Sequence, residues 1–323
     1  MSTVQSGAVT AAGSAVDVEP SVVGRTPWQL FWGRFKKDKV AFVGLGFIVF
    51  LGLVAIFAPV ISAVRHIGPN QLFPSGTNEL SIPFGPNGTH WFGYDQVGRD
   101  VFIRTIYGAR TSLTVAILAT GISVFVGIVL GLIAGFFGGA VDTVISRTVD
   151  IVMSLPILLL AIGLAAVCGT TLQGCLFGLI QPGMGLVVAI IALFNWTYMA
   201  RIVRGQTLSI KRQEFVEAAH ALGVSGGDII RRHIIPNAAG PVVVYVTLLV
   251  PKVILLESFL SFLGLGVQEP LTSWGVLISE GARNIQDSWW LLVFPSQFLT
   301  ATLFCLNFLG DGLRDALDPK DRH

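Results

Sequence analysis

Fifty consecutive residues, Ile151 to Ala200, contain no Asp, Glu, Lys or Arg. A run of that length cannot be surface in water, and about 20 apolar residues as a helix already cross a bilayer. The GTTLQG and QPGMG stretches interrupt it, so it divides into a third span ending near Cys168 and a fourth from Met184 to Ala200. Other uncharged runs repeat the pattern. Val40 to Val64 gives 25 residues for a first span, and Thr111 to Val141 gives a second. A fifth covers Ala239 to Leu263 and a sixth Trp289 to Leu309. With 53% hydrophobic and only 12% charged residues, the chain reads as an all-helical integral membrane protein with six spans.

The polar segments divide the remainder. Residues 1–26 read as a disordered tail, and Trp28 to Lys39 as an amphipathic helix on an anionic bilayer surface. Residues 1–39 thus precede the first span (40–64), and the proline-punctuated segment 65–110 is a loop. The core 111–310 holds five spans around a polar segment at 205–236, and 311–323 is a tail. Fifteen Lys and Arg fall on the side of the termini and five on the other, which places both termini in the cytoplasm. A net charge of +2 gives no reason to expect a nucleic-acid partner, and the three cysteines have no metal-ligand spacing. No glycine-rich phosphate loop ending in Gly-Lys-Ser/Thr occurs, so the chain is not itself expected to hydrolyse ATP and is not read as an enzyme.

Between the fourth and fifth spans stands EFVEAAHALGVSGGDIIRRHIIP, Glu214 to Pro236. Phe215, Ala218, Ala219 and Leu222 recur at the spacing of one apolar helix face. Gly223 suits a left-handed helix end, and Ser225 with Asp228 has capping-box spacing. The prediction is a helix, a bend, and a second short helix from about Gly226, with Pro236 opening the fifth span.

Glu217-Ala218-Ala219, Gly223 and the His233-Ile-Ile-Pro236 ending resemble the "EAA" loop of permease subunits of ABC importers, although the family ending is usually Ile-x-Leu-Pro. Further blocks are similar to the type C permeases for dipeptides and oligopeptides. They are His90 to Asp100; Trp196 to Arg204; Leu260 to Gly266 with Trp274-Gly275; and Asn307 to Pro319. The resemblance implies the type I importer permease fold in a bacterial cytoplasmic membrane. It also implies a second permease, two ABC ATPase domains or subunits that hold ATP and Mg, an extracytoplasmic substrate-binding protein, and a short peptide as substrate. Some relatives carry nickel chelates or glycosides. It makes Glu217, Ala218, Ala219, Gly223, Arg231, Arg232 and Pro236 the ATPase-coupling residues. Asp95, Arg99 and Asp100 become either a binding-protein contact or a brace between spans. A secondary transporter, the rival class, would be expected to carry buried acids in both halves.

Lys252 and Glu257 are the charges inside a span. Five residues apart, they point about 140° from each other, so each needs its own partner or a water-filled path. With Ser258, Ser261, Gln297 and Asn307 they are candidates for a translocation path, the alternatives being that Lys252 snorkels and that Glu257 bonds Ser261. Cys168 and Cys175 flank a glycine-containing stretch and are candidates for a disulfide, leaving Cys305 free.

Overall fold

The computed structural model describes residues 27–170 and 182–317. Among these residues every regular element is helical, and β pairing is confined to two isolated bridges, Thr77 with Pro83 and Tyr94 with Asp100. Five helices are long and apolar enough to cross a membrane, and a sharply bent pair makes a sixth span if counted as one. Residues 1–26, Cys175 and the tail from Asp318 lie outside the described residues.

The chain begins with α1 (Pro27–Phe35), then α2 (Lys39–Ile56). Asp38 caps α2, its Oδ1 accepting from the backbone N–H of Val40 and Ala41 at 3.0 and 3.1 Å. The first uncharged run is not one helix throughout. It breaks at Phe57, with Pro59 in the first turn of α3 (Ala58–Arg65), because proline is tolerated where the N–H would go unpaired anyway.

The second long helix, α4 (Val101–Phe137), starts ahead of the uncharged run and carries Arg104 and Arg110 within it. Charge does not end a helix when it is neutralised locally, and Arg104 is. Gly138 and Gly139, both with positive φ, turn the chain into α5 (Gly139–Ser154). The third span therefore has a longer, charged lead-in than its uncharged run suggests. Leu155 is extended ahead of Pro156, as proline requires of its predecessor, and α6 (Ile157–Thr170) leaves at 83° to α5.

Next come α7 (Met184–Lys211), the short α8 (Glu214–Ala221) and α9 (Gly226–Ile229), then α10 (Ile235–Phe262). Pro236 stands in the first turn of α10, as expected of a residue that opens the fifth span, but no break separates that helix from the short one before it. A π-turn, Ile230–Ile234, joins α9 to α10, so helix runs from Gly226 to Phe262. Its wider turn shifts the carbonyl that the ring of Pro236 would otherwise strike. The polar stretch before the last span holds a helix not expected from the sequence, α11 (Trp274–Arg283), capped by Ser273 Oγ. The last helix is α12 (Trp290–Leu317).

The core lies where α4, α6, α7, α10 and α12 meet, around Val115, Ala119, Ile191, Val253, Ile254 and Leu260. The most extensive helix pairing, α4 on α7, depends on the small-residue stripe. Gly127, Gly131 and Gly135, four residues apart on one face of α4, press on Met199, Ala200 and Thr207, whereas Gly121 faces open space. Arg204 clamps α5 onto α7 by pairing with both carboxylate oxygens of Asp142, and Arg201 meets Asp150 at 2.6 Å.

Candidate functional site

The bend between α7 and α10 is built from its own backbone. Gly223 takes φ +79°, and the N–H groups of Gly223 and Val224 close the end of α8 on the carbonyls of His220 and Ala219. Ser225 Oγ accepts from the Asp228 N–H at 3.2 Å, the N-cap half of the capping box that the spacing predicts, and donates to the Asp228 carboxylate at 2.8 Å, a side-chain bond in place of the box's backbone half. Val216 and Ala219 turn inward, and with Ile229 and Ile234 they join a cluster with Met199 and Val203 of α7. Phe215, Ala218 and Leu222, expected on that inner face, are exposed instead. The apolar face was read one residue out of phase, because Val216 belongs to it and Phe215 does not.

Outside, the bend presents Glu217, Ala218, Leu222, Arg231, Arg232 and Pro236. Arg232 sits 3.6 Å from Asp228, an exposed pair worth little by itself. A cleft of ≈ 470 Å³ lies beside α8, lined by Phe136, Lys211, Glu217 and His220 among others. Lys211 Nζ donates to the Phe136 carbonyl at 2.6 Å, tying the end of α4 to the end of α7.

Two faces of α10 separate Lys252 from Glu257, as the spacing requires. Glu257 is fully buried. Ser261 Oγ donates to it at 2.8 Å and Ser258 Oγ at 3.3 Å, and the hydroxyls of Ser112 of α4 and Ser273 ahead of α11 stand beside it. Four hydroxyls take the place of a countercharge, and the carboxylate links α10 to α4 and α11. Lys252 is exposed, its Nζ 5.1 Å from the centre of the Tyr198 ring. Gln297 and Asn307 are exposed on α12, the latter donating to its own Leu303 carbonyl. On the α7–α10–α12 side an open cleft of ≈ 800 Å³ is lined by Gln206, Asn237, Tyr245, Leu248 and Arg314, among others.

At the other end of the bundle, the segment before α4 is held by buried charge. Asp95 accepts from the Val97 and Arg99 N–H groups through Oδ1, and from Arg99 Nε (2.7 Å) and Arg104 through Oδ2. Arg99 continues to Glu269 at 2.8 Å and Arg104 to Glu280 at 3.1 Å. Asp100 Oδ1 caps α4 through the Ile103 N–H at 2.8 Å, and its Oδ2 meets His90 Nδ1 at 2.6 Å. The Arg99 hydrogen bond holds the Glu269 carboxyl below the ordinary glutamate range, whereas burial pushes that of Glu280 above it, against the pull of Arg104. Glu269, Glu280, Ser112 and Ser273 are not singled out from the sequence; Glu269, Glu280 and Ser112 have partners more than 160 positions away, and Ser273 stands on a different element from Glu257, so no local pattern reports them.

Cys168 is buried and disulfide-bonded, and Cys305 is a free thiol; Cys175, proposed as the partner of Cys168, lies outside the described residues.

Comparison with known proteins covers nearly the whole chain. The family described as binding-protein-dependent transport system inner membrane component matches residues 127–323, and the N-terminal TM domain of oligopeptide transport permease C matches 26–81. The dipeptide transport system permease protein DppC of Bacillus subtilis is 42% identical over 90% of this chain and 85% of its own length. The oligopeptide transport system permease protein OppC of Escherichia coli K12 is 45% identical, over 93% of this chain and 94% of its own. OppC of Bacillus subtilis is 41% identical over 97% and 96%.

Proposed function

This chain belongs to the family of inner-membrane components of binding-protein-dependent transport systems, among the dipeptide and oligopeptide permease subunits, and from that premise we propose how it works. It forms one half of a translocation pathway for short peptides across a bacterial cytoplasmic membrane, with a second, related permease as the other half. Both termini and the bend at Gly223 face the cytoplasm, as the excess of Lys and Arg on that side favours. The chain hydrolyses nothing. ATP and Mg are held by two ABC ATPase subunits, and an extracytoplasmic binding protein delivers peptide to the opposite face.

The observation that carries this reading is the continuous helix from Gly226 to Phe262, which makes the far side of the bend one piece with the span bearing Lys252 and Glu257. An ATPase that grips Phe215, Ala218 and Leu222 and the adjacent cleft pulls on α8. Through the cluster of Val216, Ala219, Ile229 and Ile234 that pull reaches α7 and α10 together. Glu217 and Ala219 of α8, Gly223, and Arg231, Arg232 and Pro236 at the head of the long helix form this coupling element. Closure of the ATPases rocks the permease pair between inward- and outward-open states.

The Asp95–Arg99–Arg104 brace keeps the opposite mouth stiff, with Glu269 its most exposed member and nearest the surface on which a binding protein would sit. The path runs along the open face of α10 past Lys252. Glu257, Ser258 and Ser261 hold that helix in place from behind.

Co-reconstitution of this chain with the second permease, the ATPases and the binding protein in proteoliposomes tests the reading. Peptide uptake should need ATP and the binding protein together. Uptake by this chain alone, driven by an ion gradient, would show a secondary transporter, and uptake of only chelates or glycosides would change the substrate class.

A further inference from the structure

The geometry points to a specific station on the path, an inference that rests on the permease reading above. We propose that Lys252, framed by Tyr198 and Tyr245, receives the free α-carboxylate of a peptide in transit.

Depth is the first observation. Lys252 lies near the middle of the fifth span, Ala239 to Leu263, roughly 15–20 Å of helix from either end at about 1.5 Å per residue. Its ammonium is 5.1 Å from the centre of the Tyr198 ring. A cation at that depth is costly unless it meets an anion or water.

Charge balance is the second. Among the described residues no acidic side chain pairs with Lys252. The acid nearest in sequence, Glu257, points around the far side of α10 and is occupied by serine hydroxyls. The subunit thus holds an exposed mid-span cation whose counterion comes from outside.

Continuity is the third. Asn237, Pro241, Tyr245, Leu248, Lys252 and Leu255 fall within one face of α10 about 80° wide at 100° per residue. The first four of these line the ≈ 800 Å³ cleft. Tyr245 meets Tyr198 edge to face at 6.1 Å, carrying the surface from the cleft to Lys252. An anion travelling along this face reaches the ammonium without crossing a packed layer.

The chemistry then selects the ligand. Each unblocked peptide ends in an α-carboxylate whatever its side chains, so one cation there recognises the class without reading sequence. A lysine offers a compact point charge, in contrast to the planar fork with which arginine grips a carboxylate bidentately. One face of the ammonium is spent on the Tyr198 ring. Such a contact is strong enough to draw the peptide in and weak enough to release it, as a conducting site requires.

The test uses the complete transporter in proteoliposomes, with a tripeptide as free acid and as C-terminal amide. Lys252→Gln should lower the acid-to-amide uptake ratio about tenfold, the equivalent of roughly 1.4 kcal/mol. Lys252→Arg should stay within about threefold of wild type on the same scale. Any preference of the binding protein acts alike on wild type and variant and cancels in the comparison. An unchanged ratio overturns the proposal. So does an equal fall for both peptides, which would mean that Lys252 pairs with an acid of the second permease. If wild type carries no amide, photolabelling decides. A tripeptide with benzoylphenylalanine as its last residue should label the Tyr198–Lys252 neighbourhood, and one with it as the first residue should not; equal labelling, or none from either, refutes the site. Loss of ATP-dependent uptake of both peptides by wild type would instead defeat the permease reading itself.

Discussion

Replacing Gly223 with alanine isolates the backbone of the bend. Nothing lies within 4 Å of where a Cβ would stand, so the added methyl meets no neighbour inside the subunit. What remains is the left-handed conformation, φ +79°, which costs an L-residue roughly 1–2 kcal/mol. That lowers the ratio of bent to unbent loop by about 5- to 30-fold. Asparagine tolerates the left-handed region better and should lose about half as much in free energy. Gly227 supplies the control. It too has open space around it, but it lies inside α9 with no positive φ, so Gly227→Ala should be neutral or stabilising by up to about 1 kcal/mol. The assay is ATP-driven uptake and peptide-stimulated ATPase activity in the same proteoliposomes, with the amount of inserted subunit measured alongside. Gly223→Ala should lower both activities together at unchanged insertion, Gly223→Asn should fall between, and Gly227→Ala should match wild type. Wild-type coupled turnover in Gly223→Ala would refute the argument, as would equal losses for alanine and asparagine, because contact with a partner would then be the cause.

Three further outcomes follow from the packing. Asp95→Asn keeps the turn acceptor but strips buried Arg104 of its closest anion; the midpoint of thermal unfolding in detergent should fall by the equivalent of about 3 kcal/mol, and an unshifted midpoint would remove the brace. Gly131→Ala puts a Cβ 2.7 Å from the Ala200 carbonyl oxygen and 2.8 Å from Val203 Cβ, so α4 and α7 must part at about 1–3 kcal/mol, whereas Gly121→Ala should be neutral; thermal unfolding of the pair is the check. Glu257→Gln should keep uptake of all peptides within about twofold, since hydroxyls can donate or accept, whereas Glu257→Ala should lose stability by about 1–3 kcal/mol; selective loss of some peptides in Glu257→Gln would move this residue onto the path.

The spans were legible because bilayer burial forbids charge over long runs, and the bend because Gly223 and Ser225 with Asp228 carry local conformational instructions. Helix ends were less so. Val101 opens α4 well before the uncharged run, since Arg104 is neutralised by Asp95 of the preceding loop and by Glu280 from a distant part of the chain. The helix across Pro236 was hidden for a different reason. A proline that opens a span gives no sign that helix already runs up to it, and a compensating π-turn has no residue signature. The 140° between Lys252 and Glu257 followed from spacing alone, but which of them faced the core did not, because that depends on Ser112 and Ser273 from other elements.

The same distribution of contacts decides what can move. Glu257 ties α10 to α4 and, through Ser273, to the start of α11, while Trp274 donates its indole N–H to the Thr105 carbonyl at 3.2 Å and its backbone N–H to Ser112 Oγ at 3.3 Å. Arg104 ties α4 to Glu280 of α11. With α7 locked on α4 through glycine contacts, the four helices have no soft layer between them. A displacement at α8 is therefore carried to the far mouth as motion of one body, not absorbed by bending within it. The compliant surface left is the open face of α10, where Lys252, Leu255 and Phe259 are exposed. On the proposed function, rocking there would change the gap to a second permease without breaking a buried hydrogen bond, and ATPase closure would then open and close the path.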